Sequence, residues 1–137
     1  EIETACLHYM RSLGWKVEIY ESKATYNPFQ KRWRTSSMKA GTPDCMGVLP
    51  DGTSISVEFK SKGRLSTLRD EQREFLINRI EMNCFAAVVD SAARLKELFN
   101  KWNDLRYCTP QKSQEYLKEN LPKKRKSREK DLDLGDF

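Results

Sequence analysis

Asp44, Glu58 and Lys60 are the three residues of this chain whose types and spacing best fit a catalytic site. Two carboxylates held close together repel each other unless a cation lies between them. Their hard oxygens suit Mg²⁺, which keeps its remaining coordination positions for water and for a substrate phosphate. The ammonium group of Lys60 would then orient or deprotonate a metal-bound water, or stabilise a pentacovalent phosphate. These residues predict metal-assisted hydrolysis of a phosphodiester bond.

A predicted β-hairpin brings these residues together. Pro50-Asp51-Gly52 is a strong turn signal between two runs of strand-forming residues. In a three-residue loop with Gly52 left-handed, Leu49 pairs with Thr53 and, counting outward, Asp44 pairs with Glu58. The opposite face is mostly apolar and is expected to meet the core: Cys45, Gly47, Leu49, Thr53, Ile55, Val57 and Phe59. The alternative is a surface strand bearing Glu and Lys, with Asp44 capping a turn.

The elements around the hairpin follow from hydrophobic periodicity and from cap residues. Helices are predicted over residues 2–13, from Thr67 to about Met82, after Ser91 and after Thr109, and strands over residues 15–21 and 84–89. Thr67 and Asp70 resemble a capping box. The second helix is expected to bury Leu68, Phe75, Leu76 and Ile80, and the third carries Leu95, Leu98, Phe99 and Trp102 on one face. This order predicts an α/β protein with a mixed central sheet flanked by helices.

Composition restricts the possible functions. No apolar run approaches the ~18 residues that would span a bilayer, so no membrane contact is expected. The single histidine, His8, excludes sites built from several imidazoles. The 4 cysteines are far apart and form no C-x-x-C pair, which favours buried thiols in a reducing compartment over disulfides or zinc ligands. No secretory leader is visible before the first helix.

Two basic segments and a net charge of +5 indicate a polyanionic partner. Residues 23–41 are predicted to form a basic loop in which Tyr26, Phe29 and Trp33 are interleaved with cations. These cations are Lys23, Lys31, Arg32, Arg34 and Lys39. We expect phosphate contacts and stacking on bases, or else a solvated loop whose rings pack on the sheet. Residues 123–137 form a basic then acidic tail, which is a phosphate-binding arm, a nuclear localisation signal or a solubilising extension.

Two motifs resemble those of a known nuclease superfamily. Gly41-Thr42-Pro43-Asp44 followed by Glu58-Phe59-Lys60 is similar to the PD-(D/E)XK signature. The continuation, residues 61–66 and then Glu71-Gln72 opening a helix, looks like the virus-type replication-repair nuclease family (VRR-NUC). The likeness covers roughly residues 1–90. The link Thr67-Leu68-Arg69-Asp70 departs from it, because it is a few residues longer than the family's short S-P-E-Q link.

The resemblance implies a restriction-endonuclease-like nuclease domain over residues 1–122. It implies Mg²⁺ or Mn²⁺ held by Asp44, Glu58 and the backbone carbonyl of Phe59, with Lys60 catalytic. It also implies a metal-linked glutamate on the first helix, for which Glu1 and Glu3 both stay open. Gln72 would hydrogen-bond a metal-bound water or a phosphate, or else lie on the helix surface. The residues assigned to nucleic-acid binding are Lys31, Arg32, Arg34, Lys39, Lys62 and Arg64.

The expected function is that of a metal-dependent DNA endonuclease with a preference for four-way junctions or other branched DNA, as in repair. Because resolving a junction needs two cuts related by a two-fold axis, we expect a homodimer. The apolar face of the third helix is one candidate interface, and filling the monomer core is its alternative role. The alternatives to this function are a catalytically silent nucleic-acid-binding module with the same fold, and a nuclease in which Lys60 is incidental. We expect a cytoplasmic protein in a bacterium or phage-infected cell, or a nuclear one in a eukaryote.

Overall fold

The computed structural model describes residues 1–20, 25–34 and 40–123 of the chain. The helices are α1 (Ile2–Ser12), α2 (Asp70–Glu81), α3 (Ala92–Cys108) and α4 (Pro110–Glu119), and a 3₁₀ turn (Leu65–Thr67) precedes α2. The strands are β1 (Lys16–Ile19), β2 (Thr25–Asn27), β3 (Arg32–Arg34), β4 (Cys45–Val48), β5 (Ser54–Phe59) and β6 (Phe85–Val89). None of the described helices combines the length and apolar character needed to cross a membrane.

Four strands form one mixed sheet in the order β1-β4-β5-β6. Strand β4 is antiparallel to both β1 and β5, whereas β5 is parallel to β6. Helix α1 packs against β1 and α3, and the other three helices contact β6. The prediction of a mixed α/β sheet flanked by helices is therefore confirmed.

An aromatic cluster fills the space between the sheet and α3. The ring centroids of Trp15 and Phe99 lie 4.5 Å apart, and those of Phe85 and Trp102 lie 5.3 Å apart. All four rings are buried, as are Leu95 and Leu98 on the same face of α3. Of the two roles considered for this face, the structure shows core packing, because the sheet needs an apolar cover. The face is not a surface on which two copies of the chain would meet.

A short ribbon occupies part of the segment predicted to be a basic loop. Strands β2 and β3 pair antiparallel, with Thr25 opposite Arg34, Tyr26 opposite Trp33 and Asn27 opposite Arg32. Phe29 lies in the connecting turn and is 96% exposed. Describing the whole segment as a loop was wrong because strands of three residues are too short to show periodicity.

Residues 21–24, 35–39 and 124–137 lie outside the described part of the chain, including Lys39 and nearly all of the tail.

Helix α2 begins later than predicted, at Asp70. Thr67 instead ends the 3₁₀ turn, and its Oγ1 donates to the carbonyl oxygen of Arg64 at 2.7 Å. The capping box predicted from Thr67 and Asp70 is therefore wrong. The side chain of Gln72 performs the capping role, since its Oε1 accepts the backbone N–H of Arg69 at 3.0 Å. Leu76 and Ile80 are buried as expected, whereas Leu68 and Phe75 are only half-buried.

Candidate active site

The hairpin of β4 and β5 adopts the register expected from its turn. The N–H of Leu49 donates to the carbonyl oxygen of Thr53 at 2.8 Å, and Gly52 is left-handed with φ +88°. Cys45 and Val57 form the last pair of the ladder, and counting one residue outward in this register places Asp44 opposite Glu58. Asp44 Oδ2 also accepts the backbone N–H of Phe59 at 3.0 Å. The strand pairing and this hydrogen bond together bring Asp44 next to Glu58.

Gly41 brings the segment before Asp44 against the start of α2. It has φ +91°, and a Cβ atom at this position would lie 2.5 Å from the carbonyl oxygen of Glu71. Only glycine combines this left-handed backbone with so close an approach. Pro43 follows in a buried position, and the carbonyl oxygen of Asp44 accepts the N–H of Tyr20 at 2.7 Å. The G-T-P-D segment thus connects α2, β1 and the hairpin at one point.

Glu58 is a buried carboxyl group in close contact with a second one. Glu58 is 3% exposed, and its side-chain Oε2 has no hydrogen-bond partner among the described residues. The pKa of Glu58 is raised to about 9, chiefly by burial and also by the hydrogen bond and negative charge of Asp44, although the charges of Lys60 and Arg69 lower it. Without a cation, the pair therefore holds a proton at neutral pH.

Lys60 and Gln72 meet next to this carboxyl pair. Lys60 follows β5, and its Nζ donates to Gln72 Oε1 at 3.3 Å. Gln72 is 6% exposed, and the same oxygen accepts the N–H of Arg69. The structure therefore brings Asp44, Glu58, Lys60 and Gln72 together, although the link before α2 is longer than in the resembled family. Gln72 is not on the helix surface.

The donor set around Glu58 fits a hard divalent cation. Oε2 of Glu58 is buried and has no hydrogen-bond partner among the described residues, and a cation between the two carboxylates would offset the negative charge of Asp44 that helps to raise the pKa of Glu58. In residues 1–20, 25–34 and 40–123, no group of three or more His, Cys, Asp or Glu side chains is suited to hold a metal. Asp44 and Glu58 are thus the two carboxylates that the described residues bring together for such a cation. Mg²⁺ is commonly held in this way, by one or two carboxylates with water and substrate phosphate.

The first-helix glutamates are not part of such a group. Glu1 is exposed at the start of α1, and Glu3 is half-buried in its first turn. The pKa of the Cys45 thiol is raised to about 12, chiefly by burial; the charge of Arg11 lowers it, and the negative charges of Asp44 and Glu3 contribute to the rise. Glu3 is thus electrostatically coupled to the end of the hairpin that carries Asp44. A metal-linked glutamate on α1 stays a prediction.

The cations assigned to nucleic-acid binding occupy two places. Lys62 and Arg64 are exposed in the connection between β5 and α2, immediately after Lys60. Lys31 is exposed in the turn of the ribbon, and Arg32 and Arg34 are positions of β3. Lys62 and Arg64 are thereby placed in the chain segment that joins the two elements of the site.

Sequence reasoning missed Arg69. This residue precedes α2, donates its backbone N–H to Gln72 and acts electrostatically on Glu58. One signal was present in the sequence, because a cation before a helix N-terminus opposes the helix dipole and is an uncommon cap.

The four cysteines are free, with Cys6 and Cys45 buried, Cys84 partly buried and Cys108 exposed. Buried thiols are thus confirmed for two of them.

No protein-family model matches the chain, and no curated protein matches its sequence.

Proposed function

We propose that this protein is a metal-dependent endonuclease that hydrolyses phosphodiester bonds in DNA. The observation that carries the proposal is the pairing of Asp44 with the buried Glu58, whose Oε2 has no hydrogen-bond partner in the described part of the chain, with the ammonium group of Lys60 nearby. Such a pair is costly in a folded protein unless it serves a ligand. A divalent cation with a phosphate on its open side is the ligand that suits these groups best.

Each residue has a distinct role in this proposal. Asp44, Glu58 and the carbonyl group of Phe59 would hold Mg²⁺ or Mn²⁺, which when bound supplies a water of lowered pKa and a positive charge for the phosphate. Lys60 donates hydrogen bonds to the attacking water or to the phosphate oxygen that gains charge. Gln72 accepts from Lys60 Nζ at 3.3 Å and so fixes the direction of the ammonium group. The fold class, with its strand crossover and this hairpin, is compatible with a restriction-endonuclease-like enzyme.

The substrate we propose is branched DNA, such as a four-way junction, cut by a homodimer. The net charge of +5 supports a polyanionic substrate, and exposed Lys62 and Arg64 follow the site directly. The exposed Phe29 at the ribbon turn supports contact with unpaired bases. Two symmetric cuts require two copies of the site that contains Asp44 and Glu58, which a homodimer would supply.

The test is a cleavage assay on labelled four-way junctions and matched linear duplexes. We expect cutting with Mg²⁺ or Mn²⁺, none with EDTA, and binding without cutting in Ca²⁺. Glu58→Ala and Lys60→Ala should abolish cutting while DNA binding in Ca²⁺ is retained. Binding without cutting by the wild type in every metal would instead indicate the silent binding module. Equal rates on both substrates from a monomer, measured with light scattering, would overturn the junction preference alone.

A further inference from the structure

Arg69 lies beside the proposed site, and the roles proposed for the carboxylates, Lys60 and Gln72 do not involve its side chain. Its backbone N–H donates to Gln72 Oε1 at 3.0 Å, and Lys60 Nζ donates to the same oxygen. One amide oxygen therefore joins the residue before α2 to the lysine of the site. Any substitution of the Arg69 side chain other than proline keeps this backbone hydrogen bond.

The guanidinium group of Arg69 is weakly engaged. Its Nη1 lies 3.6 Å from Oε1 of Glu71, and this pair is largely exposed, with 59% and 46% of the two side chains accessible. Exposed pairs of this kind contribute little to folding stability. The guanidinium group is thus accessible to an anion and has little to lose by exchanging Glu71 for it.

The charge of Arg69 acts where a phosphate would bind. The backbone N–H of Arg69 and Lys60 Nζ donate to the same oxygen, Gln72 Oε1, at 3.0 and 3.3 Å, so Arg69 lies next to the lysine of the site. Arg69 also stands at the N-terminus of the 12-residue helix α2, whose dipole favours an anion. Oε2 of Glu58 is buried and has no hydrogen-bond partner among the residues that the structure describes, which is an independent sign that a ligand belongs at this site.

We propose that Arg69 binds a non-bridging oxygen of the phosphate at the cleavage position, and that Glu71 holds the guanidinium group when no strand is bound. This inference rests on the proposed function. Arg69 belongs to the link in which the chain differs from the resembled family, so the resemblance assigns it no role. Its planar guanidinium group can donate two parallel hydrogen bonds to one phosphate, which the lysine ammonium groups nearby cannot do.

The test compares Arg69→Gln, Arg69→Lys and the wild type on one DNA substrate in Mg²⁺. Lys112→Gln, which removes an equal charge from an exposed position on α4, is the matched control. We expect Arg69→Gln to lower kcat/KM by about 10- to 100-fold, Arg69→Lys to be intermediate, and the control to match the wild type. Thermal melting should show all variants folded. Wild-type kinetics in a folded Arg69→Gln variant would overturn the inference.

Glu71→Gln separates phosphate binding by Arg69 from a purely structural role, because a structural role predicts no gain in DNA affinity. Because Glu71 competes with the phosphate for Arg69, Glu71→Gln should tighten DNA binding in Ca²⁺ by about two- to five-fold. The gain should vanish in the double variant with Arg69→Gln, and a gain that persists there counts against the inference. If Lys60→Ala abolishes cutting and Arg69→Gln does not, only this inference fails. If the wild type does not cut, the proposed function fails and this inference fails with it.

Discussion

Gln72 Oε1 accepts a hydrogen bond from Lys60 Nζ at 3.3 Å and another from the N–H of Arg69 at 3.0 Å. One amide oxygen therefore both caps α2 and orients the lysine that follows β5. A helix that shifted along its axis would move the lysine as well. The start of α2 and the geometry of the candidate site are thus a single structural feature.

Replacing Gln72 with alanine should lower the cleavage rate by about 10- to 100-fold, because Lys60 loses the group that directs it. We expect kcat to fall more than KM rises, since Gln72 acts through Lys60 and not through substrate binding. Gln114→Ala is the matched control, because Gln114 Nε2 donates to Asn83 Oδ1 at 2.7 Å on another part of the molecule. Equal losses in both variants would indicate a general loss of stability and contradict the positioning role.

Replacing Glu58 with glutamine should stabilise the metal-free protein at alkaline pH. The pKa of Glu58 is raised from 4.5 to about 9, so its favourable contribution is complete below about pH 4.5 and is lost as pH rises toward 9. Glutamine imitates the protonated form at every pH. We expect the free energy of unfolding in EDTA to increase by about 1–3 kcal/mol at pH 8 and to change little at pH 5.

Urea denaturation at both pH values measures this difference. Glu74→Gln, a change at an exposed position on α2, is the matched control and should show no such pH dependence. Mg²⁺ should raise the midpoint of the wild type at pH 8 but not that of Glu58→Gln, because the metal takes the place of the shared proton. The same stability change at pH 5 and pH 8 would contradict the shared proton.

Gly41→Ala should reduce both stability and cleavage. A Cβ atom there would lie 2.5 Å from the carbonyl oxygen of Glu71, which is backbone and cannot turn away. The matched control is Gly63→Ala, because Gly63 also has positive φ, +79°, but has nothing within 4 Å of the added atom. We expect Gly63→Ala to lower the free energy of unfolding by about 1 kcal/mol, because of its backbone conformation alone, and Gly41→Ala to lower it clearly more. Equal losses of unfolding free energy would mean that the contact with α2 is not needed.

Removing residues 123–137 should weaken DNA binding, more at low salt than at high salt. Arg73 Nη1 donates to the carbonyl oxygen of Pro122 at 2.6 Å, so the tail departs from the first turns of α2, the helix that carries Gln72. For every phosphate that the shortened chain no longer binds, the slope of log K against log salt should fall by close to one unit on duplex DNA. Fluorescence anisotropy across a salt series measures this slope. An unchanged slope would indicate a tail that only improves solubility.

The pairing of Asp44 with Glu58 could be predicted from the sequence, because turn chemistry and alternation specify a hairpin locally. The same holds for the buried strand β6 and for the helix capped by Ser91, whose Oγ accepts the N–H of Arg94 at 3.1 Å. These features depend on neighbours within a few residues along the chain. The hairpin register, strand β6 and the Ser91 cap predicted from the sequence therefore agree with the structure.

Tertiary structure alone decided the rest. Gln72 caps α2 through the nearby N–H of Arg69, but its second hydrogen bond, from Lys60 Nζ, joins the helix to another element and had no signal in the sequence. The position of Arg69 beside the candidate site depends on how the residues before α2 pack. The burial of the aromatic face of α3 depends on how that helix packs on the sheet. The position of Glu1 and Glu3 relative to the carboxylate pair depends on how α1 packs. Contacts between residues far apart in sequence carry no local signal, and only the packed molecule reveals them.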